Sequence, residues 1–182
     1  MDPETTAVIV IDLQREYFEE DRPWYVPDSD RVREQCQRIL DAARDTEATV
    51  IHARHVSRGR DAAVFGWGSE YIEIIDDVEI EEDEHLITKT TPSCFPDTRL
   101  SDILQRNGIE TVVCTGLLSF ICVDTTARDA AARGYDTKYV EDATAAFPLE
   151  GYEPEEITDT IATVQDLVFS EVVGTDAVVD QL

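Results

Sequence analysis

Three side chains in this sequence could together carry out acyl transfer: Asp12, Lys89 and Cys122. Cys122 follows an apolar strand and a turn at the start of a predicted helix, where unpaired N–H groups and the helix dipole favour a thiolate and can hold an oxyanion. Asp12 ends a run of five apolar residues, so we expect its carboxylate to be half desolvated, with a perturbed pKa. Lys89 is one of only two lysines, and its ammonium could pair with Asp12 and polarise the thiol.

Each of these residues also has an ordinary structural interpretation. Cys122 could be a small core residue, Asp12 a capping carboxylate, and Lys89 a surface cation. The combination favours chemistry, because a nucleophile, an acid–base carboxylate and a cation form a working set for attack on a carbonyl group. Distance along the chain is no objection, because each residue follows the end of a predicted strand.

Hydrophobic periodicity predicts alternating strands and helices, and therefore a parallel sheet with right-handed crossovers. The predicted strands are residues 7–11, 49–53, 85–88, 111–115, 137–140 and 167–173, and the predicted helices are residues 32–43, 98–107, 120–133 and a last helix that begins at Pro154. Residues 56–84 show no clear element, and such a long irregular segment is often a functional loop. Ligands bind at the carboxyl ends of parallel strands, so we expect residues 12–14 and 116–122 to meet there.

Composition limits the class of protein. The chain has 182 residues, predicted to form one domain over residues 1–182, and its 40 acidic and 15 basic residues give a net charge of −25. We expect no nucleic-acid binding, because no large basic patch is available, and no membrane span, because no apolar run reaches ~18 residues. The N-terminus lacks a basic secretory region and the four cysteines form no CxxC pair, which predicts a cytoplasmic protein with reduced thiols. An acidic surface with so little lysine suggests adaptation to high salt.

Ordered motifs along nearly the whole chain resemble the isochorismatase-like cysteine hydrolase family. They are Asp12-Leu13-Gln14, Lys89, Ser93-Cys94-Phe95, Gly116-Leu117-Leu118-Ser119-Phe120-Ile121-Cys122-Val123, Thr126-Ala127-Arg128-Asp129-Ala130, Gly134-Tyr135 and Val140-Glu141-Asp142-Ala143. The resemblance implies a Rossmann-like, three-layer α/β/α sandwich with a six-stranded parallel sheet.

The same resemblance implies roles for individual residues. Cys122 would be the nucleophile, Asp12 would take and return the proton, and Lys89 would hold the charge. A cis peptide bond before Leu118 would turn the N–H groups of Leu118 and Cys122 towards the oxyanion. Family members with this cysteine hydrolyse a C–N bond through a thioester, whereas members that act on the vinyl ether of isochorismate typically lack it.

Three departures from the family pattern affect the predicted site. Nicotinamidases of this family carry an Asp-x-His…His metal site after the second strand, whereas this chain has His55 and Ser57 at the first two positions. We therefore predict no metal and no other cofactor, with His55 shaping the pocket or packing. Phe120 stands where an acidic residue is common, which indicates an apolar pocket wall or a repacked subunit contact. Cys94 replaces a common alanine and could pack or form a disulfide with Cys122.

These features predict a cysteine-dependent hydrolase that cleaves an amide-type C–N bond of a small molecule, with a neutral or aromatic amide favoured. The expected substrate-binding residues are Gln14, Phe18, Trp67, Phe95 and Phe120. The alternatives are a vinyl-ether hydrolase, a non-catalytic small-molecule-binding module, and a thiol redox protein using Cys122 and Cys94. Nucleotide binding is not expected, because no GxGxxG or P-loop pattern occurs. The resemblance suggests a homo-oligomer, either a dimer or a tetramer.

Overall fold

The computed structural model describes residues 1–59 and 61–182, which contain a six-stranded parallel sheet. The strands are β1 (Thr6–Ile11), β2 (Thr49–His55), β3 (His85–Lys89), β4 (Thr111–Leu117), β5 (Asp136–Ala145) and β6 (Glu171–Val173), in the spatial order β3-β2-β1-β4-β5-β6. The strand order reverses between β1 and β4. The two most apolar strands are therefore neighbours at the switch point, as the sequence predicted.

Helices cover both faces of the sheet. They are α1 (Arg15–Phe18), α2 (Ser29–Arg44), α3 (Leu100–Arg106), α4 (Asp124–Ala132), α5 (Pro154–Val164) and α6 (Thr175–Gln181). Buried residues of α2 and α6 join one apolar core with one face of the sheet, and those of α3, α4 and α5 join a second core with the other face. The three-layer α/β/α sandwich expected from the sequence is confirmed.

Local sequence explains the main elements. β1 and β4 are buried along their whole length, as expected of apolar strands that are covered on both faces. The apolar stripe of α2 is buried at helical spacing. Arg99 is the N-terminal cap of α3, and the hydroxyl of Thr98, one residue earlier, accepts a hydrogen bond from the N–H of Leu100 at 3.1 Å.

β1 and β4 come very close to each other at Gly116, the register partner of Ile11. Gly116 has a φ of +111°, and a Cβ atom at this position would lie 2.1 Å from the carbonyl oxygen of Ile11. Only glycine fits here without moving the backbone. Because Asp12 directly follows Ile11, this close approach fixes the point at which the Asp12 loop leaves the sheet.

The predicted strand at residues 167–173 is wrong over its first half. Gln165–Phe169 form a π-helical turn that continues α5, and only Glu171–Val173 pair with β5. Leu167 and Val168 are 79% and 65% exposed, so this apolar pair is not the interior of a buried strand. A buried glutamine at the start of the turn instead hydrogen-bonds to α4.

The predicted helix at residues 120–133 also begins differently. Ser119–Val123 form a π-helical turn, and α4 starts only at Asp124. β5 is longer than predicted, and the short helices α1 and α6 offer too few turns for a clear periodic pattern. Residues 56–84 are largely irregular, as expected; within their described part the one helical element is a 3₁₀ turn, Glu70–Ile72.

Within the described residues, none of the helices combines the length and the apolar character that crossing a membrane requires. The single domain over residues 1–182 and the cytoplasmic location stay predictions.

Candidate active site

The fold brings Asp12, Lys89 and Cys122 together at the carboxyl edge of the sheet. Asp12 follows β1, Lys89 is the last residue of β3, and Cys122 lies in the π-helical turn after β4. The ammonium Nζ of Lys89 donates to Oδ2 of Asp12 at 2.7 Å and to Sγ of Cys122 at 3.2 Å. The exposed fractions of Asp12, Lys89 and Cys122 are 0%, 1% and 4%. The three residues singled out in the sequence therefore form one buried cluster.

Backbone geometry fixes the Asp12 carboxylate. Its φ of +55° lies in the left-handed region, which Asp tolerates better than most residues, and its N–H donates to the carbonyl of Ala53 on β2 at 2.8 Å. Oδ2 accepts from Lys89, while Oδ1 is buried and has no hydrogen-bond partner among the described residues. A buried oxygen without a partner is costly, so Oδ1 is available to a proton or to a substrate.

Electrostatic coupling keeps the Lys89 ammonium charged. Burial lowers the pKa of Lys89, but the charges of Asp12 and Cys122 outweigh burial and raise the pKa above its ordinary value. The ammonium also donates to the carbonyl of Thr91 at 3.4 Å. A buried cation between a carboxylate and a thiol stabilises negative charge on either group.

The surroundings of Cys122 oppose the thiolate that a position at the start of a helix would favour. Burial is the largest influence and raises the pKa of the thiol, the Asp12 carboxylate raises it further, and Lys89 lowers it. Cys122 also lies inside the π-helical turn rather than at the N-terminus of α4, where the helix dipole was expected to act. The thiol is therefore protonated at neutral pH, and a neighbouring base must remove its proton before it can attack.

The turn after β4 carries the two residues that were expected to hold an oxyanion. The peptide bond between Leu117 and Leu118 is cis, as the resemblance implied. The carbonyl of Leu118 accepts from the N–H groups of Ile121 and Val123 at 3.2 Å and 3.1 Å. Leu118 and Cys122 thus belong to one tight turn, and their role as oxyanion donors stays a prediction.

Tyr17 belongs to an aromatic cluster that reaches the site through Phe65, whose ring centroid lies 5.3 Å from that of His55, the register partner of Lys89. Burial, followed by the charges of Cys122 and Asp12, raises the pKa of Tyr17. The ring centroid of Tyr17 is 5.2 Å from that of Phe65 and 6.4 Å from that of Trp24. These rings form an apolar wall next to the site.

The same aromatic cluster extends to Phe120. The ring of Phe120 packs edge-on against Phe147 with centroids 5.5 Å apart, and Phe147 lies 5.6 Å from Trp24. Phe120 is therefore the one predicted pocket aromatic that joins this cluster in the described residues. The sequence reasoning missed four members, Tyr17, Trp24, Phe65 and Phe147, because their loops bring them together only in the folded chain.

The side chain of Gln14, predicted to bind substrate, is engaged with the backbone. Its amide nitrogen donates to the carbonyls of His55 and Ile72 at 2.8 Å and 2.7 Å, and its amide oxygen accepts from the N–H of His55 at 2.7 Å. Gln14 therefore ties the loop after β1 to the end of β2. A direct contact with substrate stays a prediction.

The other predicted pocket residues have packing contacts. Phe18 is partly buried against the α2-side core, and Trp67 is 58% exposed. Phe95 packs beneath the guanidinium of Arg133, which lies 4.2 Å from the ring centroid, and stacks on Tyr135, just after α4. Their predicted role in substrate binding stays a prediction.

Cys94 is fully buried, and all four cysteines are free thiols. Its N–H donates to the hydroxyl of Thr126 at 3.1 Å, and burial raises the pKa of its thiol to about 12. These contacts are those of a packing residue. Among the described residues no group of three or more His, Cys, Asp or Glu side chains has the arrangement of a metal site.

Comparisons with known proteins identify the class that this fold and site define. The family model described as the isochorismatase domain matches residues 6–168. A solved cysteine hydrolase from Pseudomonas syringae pv. phaseolicola 1448A superposes with a TM-score of 0.92 at 27% identity, covering 100% of this chain and 93% of that chain. The uncharacterised isochorismatase family protein YddQ of Bacillus subtilis (strain 168) is 34% identical, over 80% of this chain and 81% of YddQ.

The chain thus belongs to the isochorismatase domain family, whose members include hydrolases. Several relatives have named activities; among them, the streptothricin hydrolase of Streptomyces noursei is 33% identical over 79% of this chain and 55% of that protein. The family and the fold expected from the sequence are confirmed.

Proposed function

We propose that this protein hydrolyses an amide-type C–N bond of a small molecule, with Cys122 as nucleophile, Asp12 as proton carrier and Lys89 as electrostatic support. The observation that carries the proposal is the position of the Lys89 ammonium, 2.7 Å from Asp12 and 3.2 Å from Sγ of Cys122. Burying an ion pair beside a thiol is costly, so such an arrangement favours a functional role over a structural one.

In the first half-reaction, Oδ1 of Asp12 takes the S–H proton of Cys122, and Sγ attacks the carbonyl carbon of the substrate. The new C–S bond displaces the C=O π electrons onto oxygen and gives a tetrahedral intermediate. Asp12 then delivers the proton to the amide nitrogen, the C–N bond breaks, and ammonia or an amine leaves behind a thioester. The raised pKa of Cys122 supports this order, because the thiol keeps its proton until Asp12 accepts it.

Water completes the cycle. Asp12, ionised again, takes a proton from the water molecule that attacks the thioester carbonyl, and the second intermediate collapses as the C–S bond breaks. The proton on Asp12 returns to the thiolate, which restores the thiol and releases a carboxylic acid. Lys89 stays protonated because of its raised pKa, and the N–H groups of Leu118 and Cys122 hold the oxyanion in both steps.

The surroundings of the buried cluster support a small, uncharged amide as substrate. The aromatic cluster reaches the site through Phe65, 5.3 Å from His55, and the charge of Lys89 is already balanced by Asp12. A substrate carboxylate buried among these rings would lose its hydration without compensation. A neutral aliphatic or aromatic amide has no charge to desolvate, and its amide group can exchange hydrogen bonds with water for bonds within the site.

An amide screen with site variants tests the proposal. We expect the wild-type protein to release ammonia or an amine from at least one neutral amide, and intact mass spectrometry to detect the acyl group on Cys122. Cys122→Ala should abolish both signals, and Asp12→Asn should lower kcat/KM roughly 10²- to 10⁴-fold, the usual contribution of a general base. Cys36→Ala, which removes another buried thiol, is the matched control and should remain active.

Turnover of an amide by Cys122→Ala would contradict the proposal. Cleavage of a vinyl ether with no amide hydrolysed would favour the vinyl-ether hydrolase. Saturable binding of small molecules without any turnover would favour a non-catalytic module.

A further inference from the structure

His55 lies beside the buried cluster and has no part in the reaction sequence above. It is the last residue of β2 and the register partner of Lys89, the last residue of β3. In the strand order β3-β2-β1-β4, it stands on the opposite side of Asp12 from the strand that leads to Cys122. If Cys122 attacks from the β4 side and Asp12 protonates the leaving nitrogen, His55 faces the leaving-group side.

The imidazole of His55 is neutral and incompletely hydrogen-bonded. Burial and then the charge of Lys89 lower its pKa, although Asp12 and the backbone of Thr91 raise it. Its Nδ1 is buried and has no hydrogen-bond partner among the described residues. Oδ1 of Asp12 is likewise buried without a hydrogen-bond partner among the described residues. Asp12 lies beside β2, because its N–H donates to the carbonyl of Ala53, two residues before His55.

The backbone of His55 is held by the side chain of Gln14, which bonds to the main-chain N–H and carbonyl of His55 at 2.7 Å and 2.8 Å. The ring packs edge-on against Phe65 with centroids 5.3 Å apart. An unpartnered buried nitrogen on this ring costs free energy. The arrangement is typical of a polar group kept ready for a ligand.

We propose that Nδ1 of His55 accepts a hydrogen bond from an N–H of the leaving amine, which makes His55 a positioning residue that selects amides with an N–H on the leaving nitrogen. The inference rests on the proposed function. As the amide nitrogen becomes pyramidal, Asp12 donates its proton to the nitrogen lone pair, and the N–H bonds then need acceptors. Fixing one N–H on His55 turns the lone pair towards Asp12. Amides without an N–H cannot make this contact.

The test compares three compounds that share one acyl group: the primary amide, the N,N-dimethyl amide and the aldehyde. The benzoyl compounds are tested first. The acyl group of the best substrate from the amide screen then takes the place of benzoyl in all three compounds. Wild-type protein, His55→Phe and His55→Asn are compared, because Asn can place a polar atom close to the position of Nδ1. His85→Asn controls for the loss of a histidine elsewhere. The aldehyde forms a thiohemiacetal with Cys122 and has no leaving amine, so its protection of Cys122 against alkylation reports on the nucleophile alone.

We expect His55→Phe to lower kcat/KM for the primary amide roughly 3- to 10-fold, the usual contribution of one hydrogen bond. The dimethyl amide, already slow, should change little, so the preference for the primary amide shrinks. His55→Asn should recover most of that preference, and aldehyde protection should be the same in all variants. If His55→Phe does not fold, His55→Asn and His55→Gln replace the comparison, and the preference should survive only in the Asn variant.

An unchanged preference in His55→Phe would overturn the inference, as would a parallel loss of aldehyde protection, which would make His55 a support for the nucleophile. These results differ from failure of the proposed function. If the aldehyde does not protect Cys122 in the wild-type protein, and no amide is hydrolysed, the nucleophile itself is wrong.

Discussion

Burial of a thiol between a carboxylate and an ammonium makes its reactivity depend on both charges. Burial and Asp12 raise the pKa of Cys122, and Lys89 lowers it. In a resting enzyme this arrangement protects the sulfur from alkylation and oxidation, because the thiolate is the reactive form. In the proposed mechanism, the same carboxylate that suppresses the thiolate is also the base that generates it when a carbonyl group is in place.

Asp12→Asn therefore has opposite effects on two reactions. Removing the negative charge lowers the pKa of Cys122, so alkylation by iodoacetamide should move to lower pH and become faster at pH 7. Hydrolysis of amides should nevertheless be lost, since no group remains to carry the proton. The measurement is the pH profile of alkylation, mapped to each cysteine by mass spectrometry.

The thiol of Cys36 is the internal control for this experiment. Burial raises the pKa of Cys36 to about 12, with only smaller influences from Thr115 and Asp142, so its slow alkylation should be the same in wild type and variant. An alkylation profile of Cys122 that moves to higher pH in Asp12→Asn would contradict the coupling described here.

At the scale of elements, the site depends on how closely two central strands approach. Asp12 leaves the sheet directly after Ile11, and the turn that carries Cys122 begins three residues after Gly116. Gly116 and Ile11 are register partners whose backbones leave no room for a Cβ atom. The spacing between β1 and β4 therefore sets the distance between Asp12 and Cys122.

Gly116→Ala should disturb both folding and the site. The added methyl group would lie 2.1 Å from the carbonyl oxygen of Ile11 in a left-handed backbone conformation. We expect a loss of roughly 2–5 kcal/mol in the free energy of unfolding, from overpacking and backbone strain together. Urea denaturation measures this loss.

Gly134→Ala is the matched control, because Gly134 also has a positive φ, +90°, but open space where the Cβ would be. This substitution should lower the free energy of unfolding by only about 1–2 kcal/mol, which is the strain of the left-handed conformation alone. Equal costs for the two variants would show that the strand contact at Gly116 is not tight.

The whole molecule carries a net charge of −25, and both of its lysines are already paired with carboxylates. Lys89 is paired with Asp12, and Lys138, 9% exposed, is paired with Asp136 and Glu171 at 3.0 Å and 2.5 Å. Positive charge on the surface is therefore carried by arginine. Self-repulsion of the remaining carboxylates opposes the compact state wherever salt does not screen it.

Thermal stability should accordingly rise with salt, as proposed for a protein adapted to high salinity. Between ~0.05 M and ~2 M NaCl we expect the Tm to increase by roughly 5–10 °C, about 2.5 kcal/mol for a chain of this size. Circular dichroism follows the unfolding transition. A parallel series in sucrose at equal osmolality separates charge screening by salt from the stabilisation that comes from exclusion of a cosolute from the protein surface. The same Tm at both salt concentrations would refute the adaptation. Light scattering in high salt tests the predicted homo-oligomer.

The parallel-sheet architecture and the three residues of the buried cluster could be predicted from the amino-acid sequence. Apolar runs at residues 7–11 and 111–115 specify strands buried on both faces, and such strands become central neighbours in a parallel sheet. Polar residues directly after them must lie at one edge. Asp12, Lys89 and Cys122 were therefore predictable, because strand ends place side chains regardless of their distance along the chain.

Tertiary structure alone decided what surrounds these residues and what state they adopt. The aromatic cluster joins loops whose paths no local pattern specifies. The exposed apolar pair Leu167 and Val168 shows that apolar residue type alone does not tell which segments are buried. The protonation state of Cys122 follows from burial and from the balance of Asp12 against Lys89. These quantities depend on distances and desolvation, which exist only once the chain has folded.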